Sequence, residues 1–428
     1  MSKVEKNDVD DLGAGSTAAP GSRGPRSSLT LAERAVLAAF TGSDARTRGW
    51  LAEATGLSRA VVAGVVETLA ERGELTQARR LPRPGARGRP SALYRRSAFL
   101  PPVLLIRLRH DTSTVVSVVE KDGSAQPQLP AGSWDSPWER WAAALRAAAG
   151  QLTATAPPRL VVMAVPFPVR DGEGMPSIHA VPAGPRQMPK PVPPQSGWLT
   201  SDPRPAVAGL LGCPVIMVND ANLAALGEAR FGAGRGYRGV AHLSVRDGIG
   251  AGLVYDGTLF TGSNGFAGEI AHTQISEDGD FCVCGNRGCL ATAAHGPGVL
   301  KALANIHGLH LTFAELQALI VRANPVMLRY FRDLGATIAR PVATLTTLLD
   351  PDCIIVDATL EGAAVPFIAG LTQELSHRCP PVLMSRLAVL QGTLANATAL
   401  GAIAAADTVT QSAVTGARVP FTPTAPPR

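Results

Sequence analysis

The chain has 428 residues, of which 46% are hydrophobic and 17% are charged. This length favours two or three domains, and the composition is typical of a globular protein. No stretch approaches the roughly 20 apolar residues of a membrane-spanning helix. The N-terminal segment lacks the basic start and apolar block of a signal peptide, so we expect a cytoplasmic protein that has no contact with the membrane.

The excess positive charge lies at the N-terminal end of the chain. The first 100 residues carry 16 basic and 10 acidic side chains, and this difference equals the formal net charge of +6 of the whole chain. Eight arginines and a single acid, Glu74, lie between Arg72 and Arg96. Arginine suits phosphate and groove contacts, so the pattern favours a polyanionic partner. A merely solvated charged surface is the alternative.

The first hundred residues predict a tail followed by a DNA-binding domain. Residues 1–28 are rich in Gly, Ser, Pro and Ala, which predicts disorder. Residues 29–97 predict a winged helix-turn-helix domain, with three short helices within 29–78 and then two strands around a Pro/Gly/Arg loop. Thr30 and Glu33 have the spacing of a capping box at the start of the first helix.

In a winged helix-turn-helix domain, the N-terminal residues of the last helix lie closest to the bases. We therefore expect Ser58, Arg59 and Ala60 to contact DNA, with Arg59 best suited to a bidentate contact with guanine. Arg87 and Arg89, in the wing loop, are expected to reach phosphate or the minor groove. The alternative is a three-helix protein-binding module with a basic tail.

From about residue 100 onwards, apolar strands alternate with long helices, which predicts an α/β core. Helices are predicted over residues 138–152, 221–232, 313–323 and 326–349. The Pro-rich stretch 182–194 predicts a loop. The predicted strands lie within residues 103–109, 114–120, 160–166, 213–220, 239–245, 251–257 and 353–358.

The stretch "HTQISEDGDFCVCGNRGC" (272–289) contains one imidazole and three thiols, from His272, Cys282, Cys284 and Cys289. A Cys3His set completes a tetrahedral zinc shell and leaves no position for a catalytic water, so the motif predicts structural Zn²⁺. Free buried thiols are one alternative. A redox pair is another, but it leaves the histidine unexplained. The other three cysteines lie in or beside apolar stretches and are predicted to be core residues: Cys213, Cys353 and Cys379.

Four further segments carry a family resemblance. They are "VNDANLAALGE" (218–228), "DGIGAGLVYDG" (247–257), "GSNGFAGEIAH" (262–272) and "CVCGNRGC" (282–289). Preceded by a winged helix, they resemble the ROK family of repressors and sugar kinases. "GLSRA" (56–60) and "GRP" (88–90) resemble the DNA-binding half of the repressors.

The resemblance implies a two-lobed, actin-like (ribonuclease-H-like) α/β fold with a cleft between the lobes. It implies a small lobe of residues 98–220 plus 395–428 and a large lobe of residues 221–394 with the zinc site. It also implies a homodimer or tetramer, and a ligand in the cleft. The expected ligand contacts are Asn219, Asp220, Glu269 and His272, the last of these through zinc. In the family's kinases, the residue equivalent to Asp220 is the base that activates a sugar hydroxyl.

The elements that bind the nucleotide in the kinases are altered. Where the resemblance calls for Asp-x-Gly-Gly-Thr, the chain has "IRLRHDTS" (106–113), so Arg107 replaces the acid. Arg109 and His110 are too bulky for the backbone to close on a phosphate as glycines do. The segment 245–252 has fewer glycines than the family's second phosphate loop, and "VDATLEG" (356–362) replaces the family's Gly-Gly on the adenosine side. These changes predict a protein without kinase activity.

The sugar side of the cleft is altered too. Ala291 stands where the family has a glutamate, Ala271 replaces a glycine, and Phe167 in "PFP" replaces another glycine and could fill the space of a sugar ring. The ligand therefore stays open between a simple hexose, a different small molecule and none at all.

These observations predict a transcriptional regulator, most simply a repressor, that binds a double-stranded DNA operator and responds to a sugar or sugar-derived effector. Two alternatives stay open. The first is an ATP-dependent sugar kinase. The second is an assembly protein that associates with DNA without sequence preference.

Overall fold

The computed structural model describes most of the chain from Thr30 onwards. The described residues are 30–40, 45–71, 75–78, 92–96, 103–120, 125–153, 158–170, 202–245, 248–282, 284–294, 315, 318–319, 322–357, 362–415, 421 and 423–426. The predicted tail 1–28, the loop 182–194, Arg87, Arg89 and most of the predicted helix 313–323 lie outside them. The chain divides into two compact units, Met1–Arg95 and Arg96–Arg428. No helix among the described residues is both long enough and apolar enough to span a membrane.

The described residues of the first unit form three helices and a small sheet. The helices are α1 (Leu31–Ala38), α2 (Arg48–Thr55) and α3 (Arg59–Glu71); the strands are β1 (Arg46–Thr47), β2 (Leu75–Ala78) and β3 (Leu93–Arg96). The strand order is β1-β3-β2, and β1 pairs with β3 in antiparallel orientation. Both α1 and α2 pack on α3. The predicted winged helix-turn-helix is confirmed.

Local sequence explains these boundaries. The Thr30 hydroxyl accepts a hydrogen bond from the Glu33 N–H, and the Glu33 carboxylate accepts one from the Thr30 N–H, which completes the capping box of α1. Gly56 ends α2 with a φ of +69°, a conformation that glycine adopts without steric cost. The buried face of α3 consists of Val62, Val66 and Leu69, so the opposite face and the first residues of the helix are solvent-exposed.

The second unit contains two five-stranded sheets. The first is formed by β4 (Val103–Leu108), β5 (Ser113–Val119), β6 (Ala125–Ser133), β7 (Val161–Val165) and β8 (Val215–Asn219). The second is formed by β9 (Gly239–Val245), β10 (Ile249–Tyr255), β11 (Thr258–Leu259), β12 (Cys353–Val356) and β13 (Ala388–Gln391). The helices are α4 (Trp138–Leu152), α5 (Arg204–Leu211), α6 (Asp220–Phe231), α7 (Leu290–Ala294), α8 (Pro325–Leu349), α9 (Ala364–Arg378), α10 (Pro381–Met384) and α11 (Ala397–Thr415).

The two sheets repeat one topology. The strand orders are β6-β5-β4-β7-β8 and β11-β10-β9-β12-β13. In each sheet the first three strands in sequence form an antiparallel meander, and the last two add in parallel on the other side. Two such sheets in one α/β unit confirm the predicted sugar-kinase-like fold.

Helices cover both faces of the first sheet, which explains why β7 and β8 are buried along their whole length. One face packs against α4 and α5, and the other packs against α11. In the second sheet, α6 lies against β9 and β10, while α8 contributes to the core on the other side. The helices α6 and α11 pack on each other, so they join the two sheets.

Candidate functional site

The four predicted metal ligands converge in the second unit. His272 ends a short 3-10 turn that starts at Ile270, Cys282 and Cys284 lie in the following loop, and Cys289 directly precedes α7. Their ligand atoms all lie within 4.8 Å of one another. Among the residues that the structure describes, this is the one group of His, Cys, Asp or Glu side chains gathered closely enough to hold a metal ion.

The distances within the cluster fit a tetrahedral ion. The Sγ atoms of Cys284 and Cys289 are 3.7 Å apart, and Cys282 Sγ is 3.5 Å from His272 Nδ1. Zn–S bonds of about 2.3 Å and Zn–N bonds of about 2.0 Å in a tetrahedron separate two sulfurs by roughly 3.8 Å and sulfur from nitrogen by roughly 3.5 Å. These two distances therefore match a tetrahedral zinc shell, and all four ligand atoms lie within 4.8 Å of one another.

Glycines make the tight ligand loop possible. Gly285 and Gly288 have φ values of +90° and +65°. A Cβ atom on Gly288 would lie 1.7 Å from the carbonyl oxygen of Ser276, so no other residue fits there. Backbone hydrogen bonds from Gly285 to Cys282 and from Cys282 to Asn286 close the turn. The loop is folded around the thiols rather than around an apolar core.

The Cys282 and Cys289 thiols are protonated when no cation is bound. Burial, together with the neighbouring Cys284 and Cys282 thiols, raises the pKa of Cys289 to about 12. Burial also raises the pKa of Cys282. A bound divalent cation favours the thiolates, so metal binding is coupled to proton release and to the folding of this loop.

The other three cysteines are buried and lie apart from the cluster, as predicted. Burial raises the pKa of Cys213 to about 11 and that of Cys353 to about 12. Cys379 is buried against α8, where its sulfur lies 3.8 Å from the carbonyl oxygen of Ala343. These thiols are small apolar core groups with little nucleophilic character.

Asn219 and Asp220 lie where β8 meets α6. Asn219 is the N-cap of α6: its Oδ1 accepts hydrogen bonds from the N–H groups of Ala221 and Asn222, at 3.0 and 3.1 Å. Its Nδ2 donates to the carbonyl oxygen of Phe167, at 3.2 Å. Both ends of the Asn219 amide thus have protein partners, and its contact with a ligand stays a prediction.

Asp220 and Glu269 come from different parts of the unit and are near enough for the Asp220 charge to act on the Glu269 carboxyl group. Burial, with a smaller contribution from the Asp220 carboxylate, raises the pKa of Glu269 to about 7. Glu269 accepts a backbone hydrogen bond from the N–H of His272 at 3.1 Å, so it belongs to the same short turn as a metal ligand. A protonated Glu269 can donate a hydrogen bond while an ionised Asp220 accepts one, an arrangement suited to a ligand with hydroxyl groups.

Comparison with known proteins places this arrangement in a family. Residues 189–408, half of the chain, match the model of the ROK family. The chain belongs to the ROK family. The xylose repressor of Bacillus spizizenii is 28% identical over 209 residues, 49% of this chain and 54% of the repressor. The glucokinase of Streptomyces coelicolor is 31% identical over 189 residues, 39% of this chain and 58% of the kinase. The matches thus span little more than half of these relatives.

A solved structure resembles more of the chain. It is a ROK family transcriptional regulator, a homologue of the E. coli Mlc protein, with a TM-score of 0.66 and 20% sequence identity. The likeness covers 90% of this chain and 95% of that one, and it concerns the fold. Because the second unit starts at Arg96, a likeness of this extent includes part of the N-terminal unit.

In this ROK protein, the turn after β4 is shaped by an aromatic residue instead of glycines. Trp134 Nε1 donates a hydrogen bond to the carbonyl oxygen of Arg109 at 2.7 Å, and the Thr112 N–H donates to the same oxygen at 3.1 Å. Asp111 accepts hydrogen bonds from the backbone and hydroxyl of Ser113. These hydrogen bonds hold the turn, and they engage the Arg109 carbonyl group rather than presenting a row of free N–H groups.

Phe167, the residue expected to fill a sugar-sized space, is buried. Its ring packs edge-to-face on Trp134, with ring centres 6.3 Å apart, within the core that α4 and α5 form with the first sheet. Its carbonyl oxygen faces Asn219. Whether the ring also limits a ligand stays a prediction.

The predicted DNA contacts fall partly within the described residues. Ser58, Arg59 and Ala60 are exposed at the start of α3, and the Ser58 hydroxyl accepts a hydrogen bond from the Val61 N–H at 3.3 Å. Arg87 and Arg89 lie outside the described residues. The contact of all five residues with DNA stays a prediction.

One buried acid of the ROK motif was not singled out from the sequence. Glu228, 1% exposed, accepts hydrogen bonds from the backbone N–H groups of Ala233, Thr393 and Leu394, at 2.8 to 2.9 Å. It therefore ties the end of α6 to the segment that leads into α11. The signal was its place at the end of "VNDANLAALGE", one helical turn after the apolar residues of α6.

Proposed function

We propose that this ROK protein is a DNA-binding transcriptional regulator, most simply a repressor, that acts in the cytoplasm as a homodimer or tetramer. The observation that carries the proposal is the winged helix-turn-helix unit, in which Ser58, directly before α3, and the first α3 residues Arg59 and Ala60 are exposed to solvent. The large basic excess of the first 100 residues supports a polyanionic partner. Paired winged helices in an oligomer would bind a double-stranded operator with two half-sites.

The second unit is proposed to sense a small ligand. The Asp220 and Glu269 carboxyl groups offer an acceptor and a donor for neighbouring hydroxyl groups, so a sugar or sugar derivative fits their chemistry. A ligand changes DNA binding only if it binds one arrangement of the oligomer more tightly than another. The core would then set the distance between the two winged helices.

The metal centre has a structural role in this proposal. His272, Cys282, Cys284 and Cys289 would hold Zn²⁺ in a complete shell, and the ion would fix the loop that follows Glu269. Since Glu269 and His272 share one turn, the metal would keep the Glu269 carboxyl in place, and His272 would reach the effector only through the zinc ion.

Sugar kinase activity is the second candidate. It is favoured by the sequence identity to a glucokinase and by the Asp220–Glu269 pair of carboxyl groups. The turn after β4 counts against it. Arg109 and His110 occupy positions where a phosphate cradle requires glycine, and the turn aims the Arg109 carbonyl inwards. We propose that the chain has no kinase activity.

The test is a selection of genomic DNA fragments by the full-length protein, with and without a mixed pool of sugars. We expect discrete, palindromic sites whose occupancy falls steeply with salt. Arg59→Ala should weaken binding to these sites by roughly 10- to 100-fold, the effect of losing one bidentate base contact. Arg146→Ala, which removes an exposed arginine from α4, is the matched control and should bind like wild type.

Three outcomes separate the candidates. Discrete sites that respond to the sugar pool support a ligand-controlled regulator. Salt-dependent binding without discrete sites contradicts the proposal and favours an assembly protein that associates with DNA. Hexose-dependent consumption of ATP by the same preparation contradicts it in favour of the kinase.

A further inference from the structure

Arg48, the first residue of α2, contacts two other elements of the N-terminal unit. Its Nη2 donates a hydrogen bond to Glu67 Oε1 at 3.2 Å, and this ion pair links the start of α2 to α3. Its guanidinium group also lies over the ring of Tyr94, 5.1 Å from the ring centre, within the range of a cation–π contact. Tyr94 belongs to β3, the second strand of the wing. One side chain therefore connects α2, α3 and the wing.

The backbone fixes the place from which Arg48 reaches these partners. The strand β1 pairs with β3 and ends directly before α2 begins. The Thr47 hydroxyl then accepts a hydrogen bond from the Trp50 N–H at 3.1 Å and caps α2. The chain thus changes from the wing sheet to the helix at Thr47. The Arg48 side chain starts from this junction, which both a ladder pair and a helix cap hold in place.

The guanidinium group of Arg48 is held by its two contacts rather than by a full set of hydrogen bonds. Tyr94 is 7% exposed, so its ring is a fixed surface. Arg48 Nε is buried and has no hydrogen-bond partner among the residues that the structure describes. The Glu67 side chain, by contrast, is 65% exposed. The position of Arg48 therefore depends on the Tyr94 ring and on the Glu67 carboxylate.

The ion pair lies where it can control the orientation of α3. This helix packs on the rest of the unit through a narrow apolar stripe of Val62, Val66 and Leu69. Hydrophobic contact is non-directional, so such a stripe holds the helix down but resists small rotations only weakly. Glu67 lies about 12 Å along the helix axis from Arg59. A directional contact at Glu67 therefore also fixes the direction in which Arg59 points.

The alternative role for Arg48 is a contact with DNA phosphate, since the first helix of a helix-turn-helix crosses the DNA backbone. The ion pair argues against this role. The Glu67 carboxylate already offsets the charge of the guanidinium group, and it would repel a phosphate placed beside it.

We propose that Arg48 is a positioning residue that fixes the reading helix α3 relative to the wing, so that Arg59 and the wing reach the same DNA site together. Sequence-selective binding requires both elements in one geometry, whereas non-specific contacts with phosphates tolerate many geometries. The effect on DNA recognition rests on the proposed function, whereas the link between α2, α3 and β3 does not.

Hydrogen–deuterium exchange of the full-length protein without DNA tests the link. In Arg48→Ala we expect the amides of α3 and β3 to exchange at least about threefold faster than in wild type, because both elements lose a shared contact. Glu67→Ala should affect α3 in the same way. Glu71→Ala is the matched control, since it removes an exposed acid from the same helix without breaking an ion pair among the described residues. Exchange in Arg48→Ala that equals the control would overturn the proposal.

Binding to the selected DNA sites tests the consequence. Relative to Glu71→Ala, we expect Glu67→Ala to bind these sites about 3- to 10-fold more weakly, with unchanged binding to random DNA and an unchanged salt dependence. Tyr94→Leu should give the same pattern, whereas Tyr94→Phe keeps the ring face and should bind like wild type. A merely structural role would weaken binding to selected and random DNA equally, and that outcome would overturn the proposal.

The phosphate-contact alternative predicts the opposite sign. If Arg48 contacts phosphate, Glu67→Ala releases its charge and should strengthen binding to every sequence more than Glu71→Ala does. That result would also overturn the positioning role. A lack of discrete sites for wild type contradicts the proposed function instead, and the exchange experiment then decides the link on its own.

Discussion

Gly401 in α11 lies against the carbonyl oxygen of Leu223 in α6, so closely that a Cβ atom would come within 1.7 Å of it. Gly227 makes the reciprocal contact with Ala397. Around these two positions, small residues on both helices allow the backbones to touch. The pair carries the apolar core that extends from Val103 of the first sheet to Val240 of the second. This helix contact therefore joins the two sheets.

Replacing Gly401 by alanine should destabilise the second unit by about 1–3 kcal/mol or more, because the methyl group must displace main chain rather than a flexible side chain. Gly150→Ala is the matched control. Gly150 also lies within a helix, α4, but nothing lies within 4 Å of an added Cβ. That variant should gain up to about 1 kcal/mol from helix propensity. Chemical denaturation measures both changes, and equal stabilities would contradict the assigned contact.

The second prediction concerns the zinc content of the protein and the loss of one metal ligand. Protein purified without added zinc should contain one equivalent of Zn²⁺. Cys284→Ser should lose most of it and unfold at a lower temperature, because three ligands without a complete shell hold the ion more weakly. Metal analysis and thermal unfolding provide the measurements. Cys379→Ser, which changes a buried thiol outside the cluster, should keep its metal. Folded wild-type protein with clearly substoichiometric metal would refute the zinc assignment.

Sequence patterns predicted the metal site because its determinants are local. Three cysteines within eight residues, two glycines and one histidine define the ligand set before any tertiary contact forms. The buried central strands were equally clear: apolar runs predicted β4, β7, β8 and β12 within a few residues. The N-terminal helices were predicted from caps, since Thr30 and Gly56 mark their ends.

Other elements have weak signals for physical reasons. The strand β6 contains Pro127, Pro130 and Gly132, which argue against a strand in sequence. It is an edge strand with register shifts against β5, where proline costs no ladder hydrogen bond. The helices α5, α9 and α11 were also missed. α9 has Pro366 in its first turn, where the folded helix tolerates proline. In the sequence, however, a proline at this position predicts a break in the helix.

The place of His110 beside Gly248 could not be predicted from the sequence. In the sequence this histidine is a bulky residue where a phosphate cradle needs glycine. Its contact with Gly248 depends on which turn of the second sheet faces the first, and that follows from the packing of α6 on α11. Similarly, Asn219 resembles a ligand contact in sequence, whereas its side chain caps α6 and holds the carbonyl of Phe167.

The buried thiols predict how stability depends on pH. The pKa of Cys213 is raised to about 11 and that of Cys353 to about 12, both by burial, from an ordinary value near 9. The folded protein therefore keeps protons that the unfolded chain loses, so stability is full below pH 9 and falls as the pH rises towards 11 to 12. At pH 10, each of these two thiols should have lowered the free energy of unfolding by about 1 kcal/mol relative to its value below pH 9.

Urea unfolding at pH 8 and pH 10 measures this effect. The double variant Cys213→Ala/Cys353→Ala should lose less stability than wild type between the two pH values, whatever its stability at pH 8. An equal loss in both proteins would show that other groups carry the alkaline destabilisation. Burial raises the pKa values of Tyr255 and Tyr330 from an ordinary value near 10 to about 12, so these phenols begin to lower stability at about pH 10, equally in both proteins.

Asp220→Ala separates sensing from DNA binding. The carboxylate lies at the N-terminus of α6, in the second unit, and the predicted base contacts lie in the first. If the Asp220–Glu269 pair binds the effector, the variant should bind operator DNA as wild type does in the absence of sugar but should lose the response to the sugar pool. Its metal content should stay unchanged, since Asp220 is not among the four clustered ligands.

Wild type and variant alike should consume no ATP with any hexose. A variant that still responds fully to sugar would move the effector site away from this carboxylate pair, and hexose-dependent ATP consumption that disappears with Asp220 would identify it as a catalytic base instead.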